Sequence, residues 1–415
     1  MTHIYRARWV LPISQPPIED GWVAVENGRI VGVGAGSPAA HDFSTALAST
    51  DAGSAASVAS VILPGLVNAH THLELSYLHG RIPPAPSFGP WVREVMKARR
   101  EYPDPAHADI VDAARRAIDA AHATGTALFG DISNTLITVP LLREARRPAR
   151  VFYELLGFTE READARVAEA RARLNALDNA GDDIRLSLAP HAPYSVSAEL
   201  FRAIRTDLDR QADAIASVHL GETPEEIELL RHGTGEIRSV LEELGRWPAD
   251  WRAPGVAPVE YLAGLGVLDR RMLAVHGVQF DGADLAHLRA REAIIVSCPR
   301  SNVHVGVGSP PLESFYESGV PVAFGTDSLA SVADLDMFAE LREARRIAPR
   351  VTARALLESA TLVGARALGF GADLGSIEAG KRAHLLAVGV PDDVTDVEQY
   401  LVSESPLDVR WLGDR

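Results

Sequence analysis

Short apolar runs alternate with longer segments of helical periodicity through the central part of the chain. The helical segments include Ala108–Ala123, Glu160–Leu177 and Pro224–Arg231, where apolar positions recur every three or four residues. The runs predicted as strands are Val67–His70, Thr126–Asp131, Val151–Leu155, Ile184–His191, Ala214–His219, Met272–His276, Ala293–Pro299 and Val322–Asp327. Eight strands that alternate with helices predict an α/β fold, a parallel (β/α)₈ barrel of the TIM type.

The two chain ends show a different pattern. Residues 22–25 and 30–33 are apolar runs separated by Glu26-Asn27-Gly28-Arg29, and Asn-Gly between two such runs predicts a β-hairpin. Another strand is predicted at 384–388, whereas 36–60 is rich in Ala, Ser and Asp and predicts a surface excursion. We therefore expect a small, sandwich-like β-domain built from both ends. The predicted boundaries are 1–63 and 373–415 for this domain and 64–372 for the barrel.

Charge and cysteine content exclude several classes of partner. Lys and Arg number 41 against 56 Asp and Glu, which gives a net charge of −15 over 415 residues. Nucleic acids and anionic membranes require basic surfaces, so neither is expected as a partner. The single cysteine, Cys298, excludes an intrachain disulfide and fits a reducing compartment. With no apolar run long enough for a signal peptide or a membrane span, we expect a cytoplasmic protein.

Polar residues recur where the predicted strands end. The first strand runs into His70 and His72, which share one face because side chains alternate along a strand. Four further strands end in His191, His219, His276 and Asp327. In a parallel barrel the carboxyl ends of the strands meet at one face, which carries the chemistry. The sequence therefore predicts a functional site in which these side chains converge.

This set of residue types predicts a catalytic metal. Three imidazoles and one carboxylate (His70, His72, His219 and Asp327) suit zinc or ferrous iron, with an open position for water. Such an ion lowers the pKa of its water to roughly 7. Glu222 follows His219 closely and is the candidate proton shuttle, the alternative being a carboxylate that stabilises the start of the next helix. His276 could be a further ligand or could position the water, and His191 could contact substrate; for both, a buried structural role is the alternative.

Several segments together resemble the amidohydrolase superfamily, and most closely its branch of nucleoside and nucleobase deaminases and chlorohydrolases. These segments are Pro64–His72, His191-Ala192-Pro193-Tyr194, His219-Leu220-Gly221-Glu222, Cys298–Asn302, Gly325-Thr326-Asp327 and Gly375–Lys381. They are spread over essentially the whole chain. The resemblance implies the same barrel with its split β-domain.

The resemblance also implies a role for each candidate residue. It makes the four residues named above ligands of one divalent metal ion, usually zinc and sometimes iron, with Asp327 also accepting a proton from the attacking water. Glu222 corresponds to the proton-shuttling glutamate, His276 to the histidine that touches the water, and His191 to one that meets the substrate. The fourth strand ends in His191 and not in a bridging lysine, which favours a single metal ion.

Within this branch, Leu73–Ser76 and the Cys298–Asn302 segment are similar to aminodeoxyfutalosine deaminases of the alternative menaquinone route. Their substrate is an adenine nucleoside with a carboxyphenyl group. Arg300 could bind that carboxylate through two hydrogen bonds, or could form a structural ion pair. Trp91 could cover the base, or could pack as an ordinary helix residue. The ribose-binding acid of related deaminases falls near Glu101.

The resulting hypothesis is a metal-dependent enzyme that hydrolytically deaminates an amino-purine nucleoside, with 6-amino-6-deoxyfutalosine as the first candidate, and releases ammonia. Its catalytic residues would be Glu222, His276 and Asp327, and its substrate contacts His191, Arg300 and Trp91. Alternatives on the same site are deamination of adenosine, 5′-methylthioadenosine, S-adenosylhomocysteine or guanine, and triazine dechlorination. A catalytically silent metal-binding barrel is the non-enzymatic alternative. The expected partner is a small purine nucleoside. Whether the protein forms a homodimer is left undecided by the sequence.

Overall fold

The computed structural model describes residues 2–36, 61–178 and 183–413. Apart from residue 36, the excursion predicted over 36–60 lies outside the described residues. Within the described ranges, no helix combines the length and the apolar character needed to cross a bilayer.

The strands and helices follow in chain order. The strands are β1 (Thr2–Val10), β2 (Ile18–Glu26), β3 (Arg29–Ala35), β4 (Val61–Pro64), β5 (Leu66–Thr71), β6 (Thr126–Ser133), β7 (Ala149–Leu155), β8 (Ile184–Pro190), β9 (Ala216–Leu220), β10 (Met272–His276), β11 (Ile294–Ser297), β12 (Val322–Phe324), β13 (Leu385–Val388) and β14 (Val409–Leu412). The α-helices are α1 (Phe88–Arg100), α2 (Ala108–Ala123), α3 (Thr138–Glu144), α4 (Ala163–Leu177), α5 (Ala198–Asp209), α6 (Pro224–His232), α7 (Glu236–Glu243), α8 (Pro258–Gly264), α9 (Gly282–Ala290), α10 (Pro299–Val305), α11 (Leu312–Ser318), α12 (Met337–Ile347), α13 (Ala353–Glu358), α14 (Gly364–Ala367) and α15 (Val397–Ser403). A 3₁₀ helix spans Leu73–Leu78 and a π-helical turn spans Ser359–Val363.

The central strands form two four-stranded sheets, in the orders β5-β6-β7-β8 and β9-β10-β11-β12. The pairs β6·β7, β7·β8, β9·β10, β10·β11 and β11·β12 are parallel. Each of the eight predicted runs overlaps one of these strands, so the α/β class with parallel sheets is confirmed. The strands are buried almost throughout, as is typical of parallel strands that alternate with helices along the chain.

Two contacts link the ends of the parallel sheets. Thr71 and Asp327 form an isolated parallel bridge, which joins the ends of β5 and β12. The backbone N–H of His219 donates to the carbonyl of His191 at 2.9 Å, at the ends of β9 and β8. The sheets themselves are separate, so closure into one eight-stranded barrel stays a prediction.

A six-stranded sheet of order β14-β13-β4-β1-β2-β3 joins strands from both chain ends. The predicted hairpin is confirmed as β2 and β3, which pair antiparallel around Asn27 and Gly28. Both turn residues have positive φ, at 50° and 73°, as the tight hairpin turn requires. The chain divides into two compact units, 1–67 with 121–128 and 336–415, and 68–120 with 129–335. The predicted domain boundaries stay predictions.

Candidate active site

Three imidazoles converge where β5 and β9 end. His70, His72 and His219 each offer a ring nitrogen within 4.8 Å of the others, and the Nε2 atoms of His72 and His219 are 3.4 Å apart. Asp327 follows β12 and places Oδ1 3.8 Å from Nε2 of His70 and 3.5 Å from Nε2 of His72. The structure therefore brings together all four side chains that the sequence analysis named as metal ligands.

His70 provides the clearest sign that this cluster suits a metal ion. Its side chain is fully buried, yet neither ring nitrogen has a hydrogen-bond partner among the residues that the structure describes. A buried polar atom without a partner costs free energy, so it implies an absent ligand. Burial and the neighbouring imidazoles hold the pKa of both His70 and His72 well below the usual histidine range. Both rings are thus in the neutral form that coordinates metals.

The other two candidate ligands are fixed in orientation by hydrogen bonds. Nδ1 of His219 lies 2.9 Å from the carbonyl oxygen of His191 and donates to it, which leaves Nε2 free to coordinate. Oδ2 of Asp327 accepts hydrogen bonds from the hydroxyls of Ser301 at 2.6 Å and Ser331 at 3.2 Å. Asp327 also has a φ of 60°, a strained backbone that directs the carboxylate toward the histidines.

Glu222 and His276 face each other beside this cluster. Oε1 of Glu222 lies 3.7 Å from Nε2 of His276, whose Nδ1 accepts a hydrogen bond of 3.0 Å from the amide of Asn302. His276 likewise has a strained φ, at 74°. Burial, and then the charges of Asp327 and Glu226, raise the pKa of Glu222 well above the usual carboxyl range. This shift favours the protonated form of the carboxyl group, the form that a general acid needs.

Residues other than Glu222 stabilise the start of the next helix, which was the alternative role considered for Glu222. The hydroxyl of Thr223 caps α6, which begins at Pro224, and Glu226 accepts the backbone N–H of Glu222 at 3.1 Å. Glu222 itself is 5% exposed and lines the cavity described below. Its carboxyl group is therefore available for chemistry.

A cavity of about 540 Å³ opens onto these side chains. Its lining includes His72, His219, Glu222, His276 and Asp327, with apolar walls and arginines further out. The apolar and aromatic residues of the lining are Leu75, Phe88, Trp91, Val92, Val95, Met96, Tyr153, Leu156, Phe158, Tyr194, Ile237, Val240, Leu241 and Leu244. The volume suits one small organic ligand, and the charged cluster at its wall can act on one end of that ligand.

Two of the predicted substrate contacts line this cavity. Nδ1 of His191 lies 2.6 Å from the hydroxyl of Ser195, which itself donates to the carbonyl of Ala192, so Nδ1 is the donor and Nε2 is left as an acceptor. Burial lowers the pKa of His191 to about 4, with a further contribution from Arg99. Trp91 presents an indole whose Nε1 is buried without a hydrogen-bond partner.

Arg300 lies elsewhere. It is on α10, donates to Asp334 at 2.8 Å and is not among the residues that line the cavity. The geometry therefore gives no support to the prediction that Arg300 binds substrate. Its ion pair with Asp334 agrees with the alternative, a structural role. Glu101 is also outside the lining, with an exposed side chain paired to Arg81.

The sequence analysis missed a second polar group in the cavity wall. Glu154 near the end of β7 and Asn134 after β6 line the cavity together with Arg99 of α1. Glu154 is an acidic residue in an otherwise apolar strand, Val151–Leu155, and the same strand-end criterion that selected the histidines applies to it.

Gly325 sets the close approach of β12 to the first ligand strand. A Cβ atom at this position would lie 2.6 Å from the carbonyl oxygen and 2.7 Å from the nitrogen of His70, both backbone atoms that cannot rotate away. We expect Gly325→Ala to lower the free energy of unfolding by about 1–3 kcal/mol in urea titrations. Gly282→Ala is the matched control, since its Cβ would meet nothing within 4 Å. Equal stability of the two variants would contradict this packing.

Comparison with known proteins identifies the class to which this fold and site belong. The model of the amidohydrolase family matches residues 61–406, so the chain belongs to the amidohydrolase family. The match includes both four-stranded parallel sheets and every candidate ligand.

Two relatives of known activity are similar over most of their length. Aminodeoxyfutalosine deaminase of Deinococcus radiodurans is 33% identical over 324 residues, which cover 74% of this chain and 73% of the relative. The 5-methylthioadenosine/S-adenosylhomocysteine deaminase of Moorella thermoacetica is 30% identical over 423 residues, covering 96% and 90%. Family and relatives together show that the chain is a hydrolytic enzyme of the deaminase class.

Solved structures agree with this assignment. Aminofutalosine deaminase of Helicobacter pylori, in complex with methylthio-coformycin, superimposes with a TM-score of 0.82 at 25% identity, covering 98% of this chain and 97% of that one. A zinc-bound adenosine deaminase of Xanthomonas campestris gives 0.78 at 28% identity, covering 96% and 88%.

Proposed function

We propose that this enzyme deaminates an amino-purine nucleoside that carries a carboxylate, with 6-amino-6-deoxyfutalosine as the substrate. The observation that carries the proposal is the convergence of His70, His72, His219 and Asp327 beside Glu222, at a cavity with apolar sides. The similarity to the Deinococcus radiodurans enzyme supports this choice of substrate. The reaction would then belong to the futalosine route to menaquinone.

One divalent ion, zinc in our proposal and iron as the alternative, would be held by His70, His72, His219 and Asp327. When bound, such an ion lowers the pKa of water to roughly 7 and so supplies a nucleophile at neutral pH. The partnerless nitrogens of His70 and the free Nε2 of His219 fit this assignment. The proposal takes the two parallel sheets as halves of one closed barrel.

The protein groups supply the proton transfers and the orientation. Glu222 donates its proton to the ring nitrogen beside the amine-bearing carbon, which makes that carbon electrophilic. His276 and Asp327 hold the attacking water, and Asp327 accepts its proton. Asp327 then passes this proton to the amine, which leaves as ammonia as its bond to the ring carbon breaks, while the hydroxyl proton returns to Glu222 and the carbonyl forms. His191 meets the purine through Nε2, and Trp91 covers the aromatic base.

The outer part of the cavity favours a carboxylate. Arg166 and Arg246 both line it, and neither has a side-chain ion-pair partner in the part of the chain that the structure describes. Guanidinium groups bind carboxylates through paired hydrogen bonds. Phe158 and Leu244 lie on the same lining and suit an apolar or aryl group between purine and carboxylate. In this proposal Arg166 and Arg246 bind the substrate carboxylate, the role that the sequence analysis assigned to Arg300.

A second candidate substrate is S-adenosylhomocysteine. The similarity to the Moorella thermoacetica enzyme extends over nearly the whole chain and favours it. Both candidates carry a carboxylate, whereas adenosine and 5′-methylthioadenosine carry none.

Ammonia release from all four nucleosides, measured on one zinc-loaded preparation, separates these possibilities. We expect higher kcat/KM for the two nucleosides that carry a carboxylate than for the two that do not, and the highest value for aminodeoxyfutalosine. Equal kcat/KM for adenosine would contradict the carboxylate subsite.

Substitution of Arg246 tests that subsite. We expect Arg246→Ala to raise KM for aminodeoxyfutalosine about tenfold, because one charge-assisted hydrogen bond is lost at an exposed position. The kcat value and the KM for adenosine should change little. Arg252→Ala is the control, since Arg252 is an exposed arginine nearby in the chain that does not line the cavity. Identical kinetics for both variants would remove Arg246 from the site.

A further inference from the structure

Glu154 lies beside a proposed metal ligand but has no part in the reaction described above. Its side chain is 6% exposed, and its Oε1 atom is 3.5 Å from Nδ1 of His219. The same Nδ1 donates to the carbonyl of His191 at 2.9 Å. The proton on Nδ1 is therefore flanked by two acceptors, one of them a carboxylate.

Glu154 is held in this position by a chain of side chains. Asn134 donates from Nδ2 to Oε2 of Glu154 at 2.8 Å. The amide oxygen of Asn134 accepts from both terminal nitrogens of Arg99, at 3.4 and 3.3 Å. Arg99 in turn lies 3.9 Å from the buried carboxylate of Glu74. Because the amide oxygen faces a cation and its nitrogen faces a carboxylate, only one orientation of the amide satisfies both neighbours.

We propose that Glu154 is a positioning residue for the metal ligand His219. When Nε2 donates electron density to a cation, the imidazole becomes more positive, and a carboxylate beside Nδ1 stabilises that charge. The carboxylate also limits rotation of the ring, whose Nε2 must face His72 and Asp327. This inference rests on the proposed function, since it requires His219 to bind the metal.

The ring geometry favours this role over a second metal site. Glu154, His191 and His219 also offer ligand atoms within 4.8 Å of one another. However, Nδ1 of His219 is engaged with the carbonyl of His191, and its Nε2 faces His72 in the first cluster, so His219 has no ring nitrogen left for a second ion. A ring nitrogen that donates its proton cannot at the same time coordinate an ion.

The test is zinc affinity, measured on metal-free protein by competition with a chromophoric chelator. We expect Glu154→Gln to bind zinc about tenfold more weakly, as is typical when a partner of a ligating histidine is lost. The value of kcat should fall while KM stays unchanged, and the visible spectrum of the cobalt-substituted variant should shift. Asp207→Asn is the control, because Asp207 is a buried carboxylate of α5 that pairs with Arg171 of α4, so its substitution should leave zinc affinity unchanged.

Three results would overturn the proposal. Unchanged zinc affinity with a raised KM would make Glu154 a substrate contact. Two zinc ions per wild-type chain, one of them lost in Glu154→Gln, would make it a ligand. A wild-type protein that binds no zinc would overturn both this inference and the proposed function. If Glu154→Gln does not fold, Asn134→Ala replaces it and should weaken zinc binding in the same direction by a smaller factor.

Discussion

Glu222→Gln is expected to lower kcat by about 10²–10⁴-fold while the protein keeps its zinc, because only proton transfer is removed. Glutamine preserves the shape of the side chain, and Glu222 is not among the four proposed ligands. Its carboxyl lies beside Nε2 of His276 in a buried site that favours the protonated form. Ammonia release and zinc content of the purified variant are the two measurements.

Glu225→Gln is the matched control for this experiment. Glu225 lies three positions further along the chain and its carboxylate pairs locally with the hydroxyl of Thr223, outside the cavity lining. We expect its kcat to stay close to that of the wild type. Wild-type turnover in Glu222→Gln would remove the assigned role, and loss of zinc in that variant would make Glu222 a ligand instead.

His70→Ala is expected to abolish both zinc retention and turnover. His70 is the most deeply buried of the proposed ligands, and its ring nitrogens have no other partner to explain their burial. Removing one of four ligands weakens a catalytic metal site and opens it to water. Zinc content after dialysis and ammonia release measure the two effects.

Loss of folding must be separated from loss of metal in this variant. His79→Ala controls for removal of an imidazole, since His79 is exposed just after the 3₁₀ helix. A second route avoids mutation: a chelator should inactivate the wild-type enzyme, and added zinc should restore it. A folded His70→Ala variant with normal zinc content would contradict the ligand assignment.

The sequence predicted the strands and the residues at their ends because both follow from local patterns. A buried strand is a short apolar run, and a polar residue at its end or shortly beyond stands out, as His276 and Asp327 do. The carboxyl ends of parallel strands lie at the same edge of a sheet. Residues at the ends of different strands are therefore close together in space, even though they are far apart in the sequence.

The residues further from the strands could not be predicted in the same way. Arg300 was chosen from its motif, but its direction depends on how α10 packs, and there it meets Asp334. Arg166 lies on α4 and Arg246 follows α7, and only tertiary packing brings them to the same cavity. A role for Glu154 could have been predicted from the sequence, because an acidic residue inside an apolar strand needs a buried partner.

The activity proposed for this enzyme is metal-dependent deamination of a carboxylated purine nucleoside. It is tested by measuring ammonia release from 6-amino-6-deoxyfutalosine by the metal-free protein, before and after addition of one equivalent of zinc. We predict no release before zinc is added and rapid, selective turnover afterwards, with adenosine a much poorer substrate. Turnover that does not depend on metal, or its absence on every purine nucleoside tested, would contradict the account.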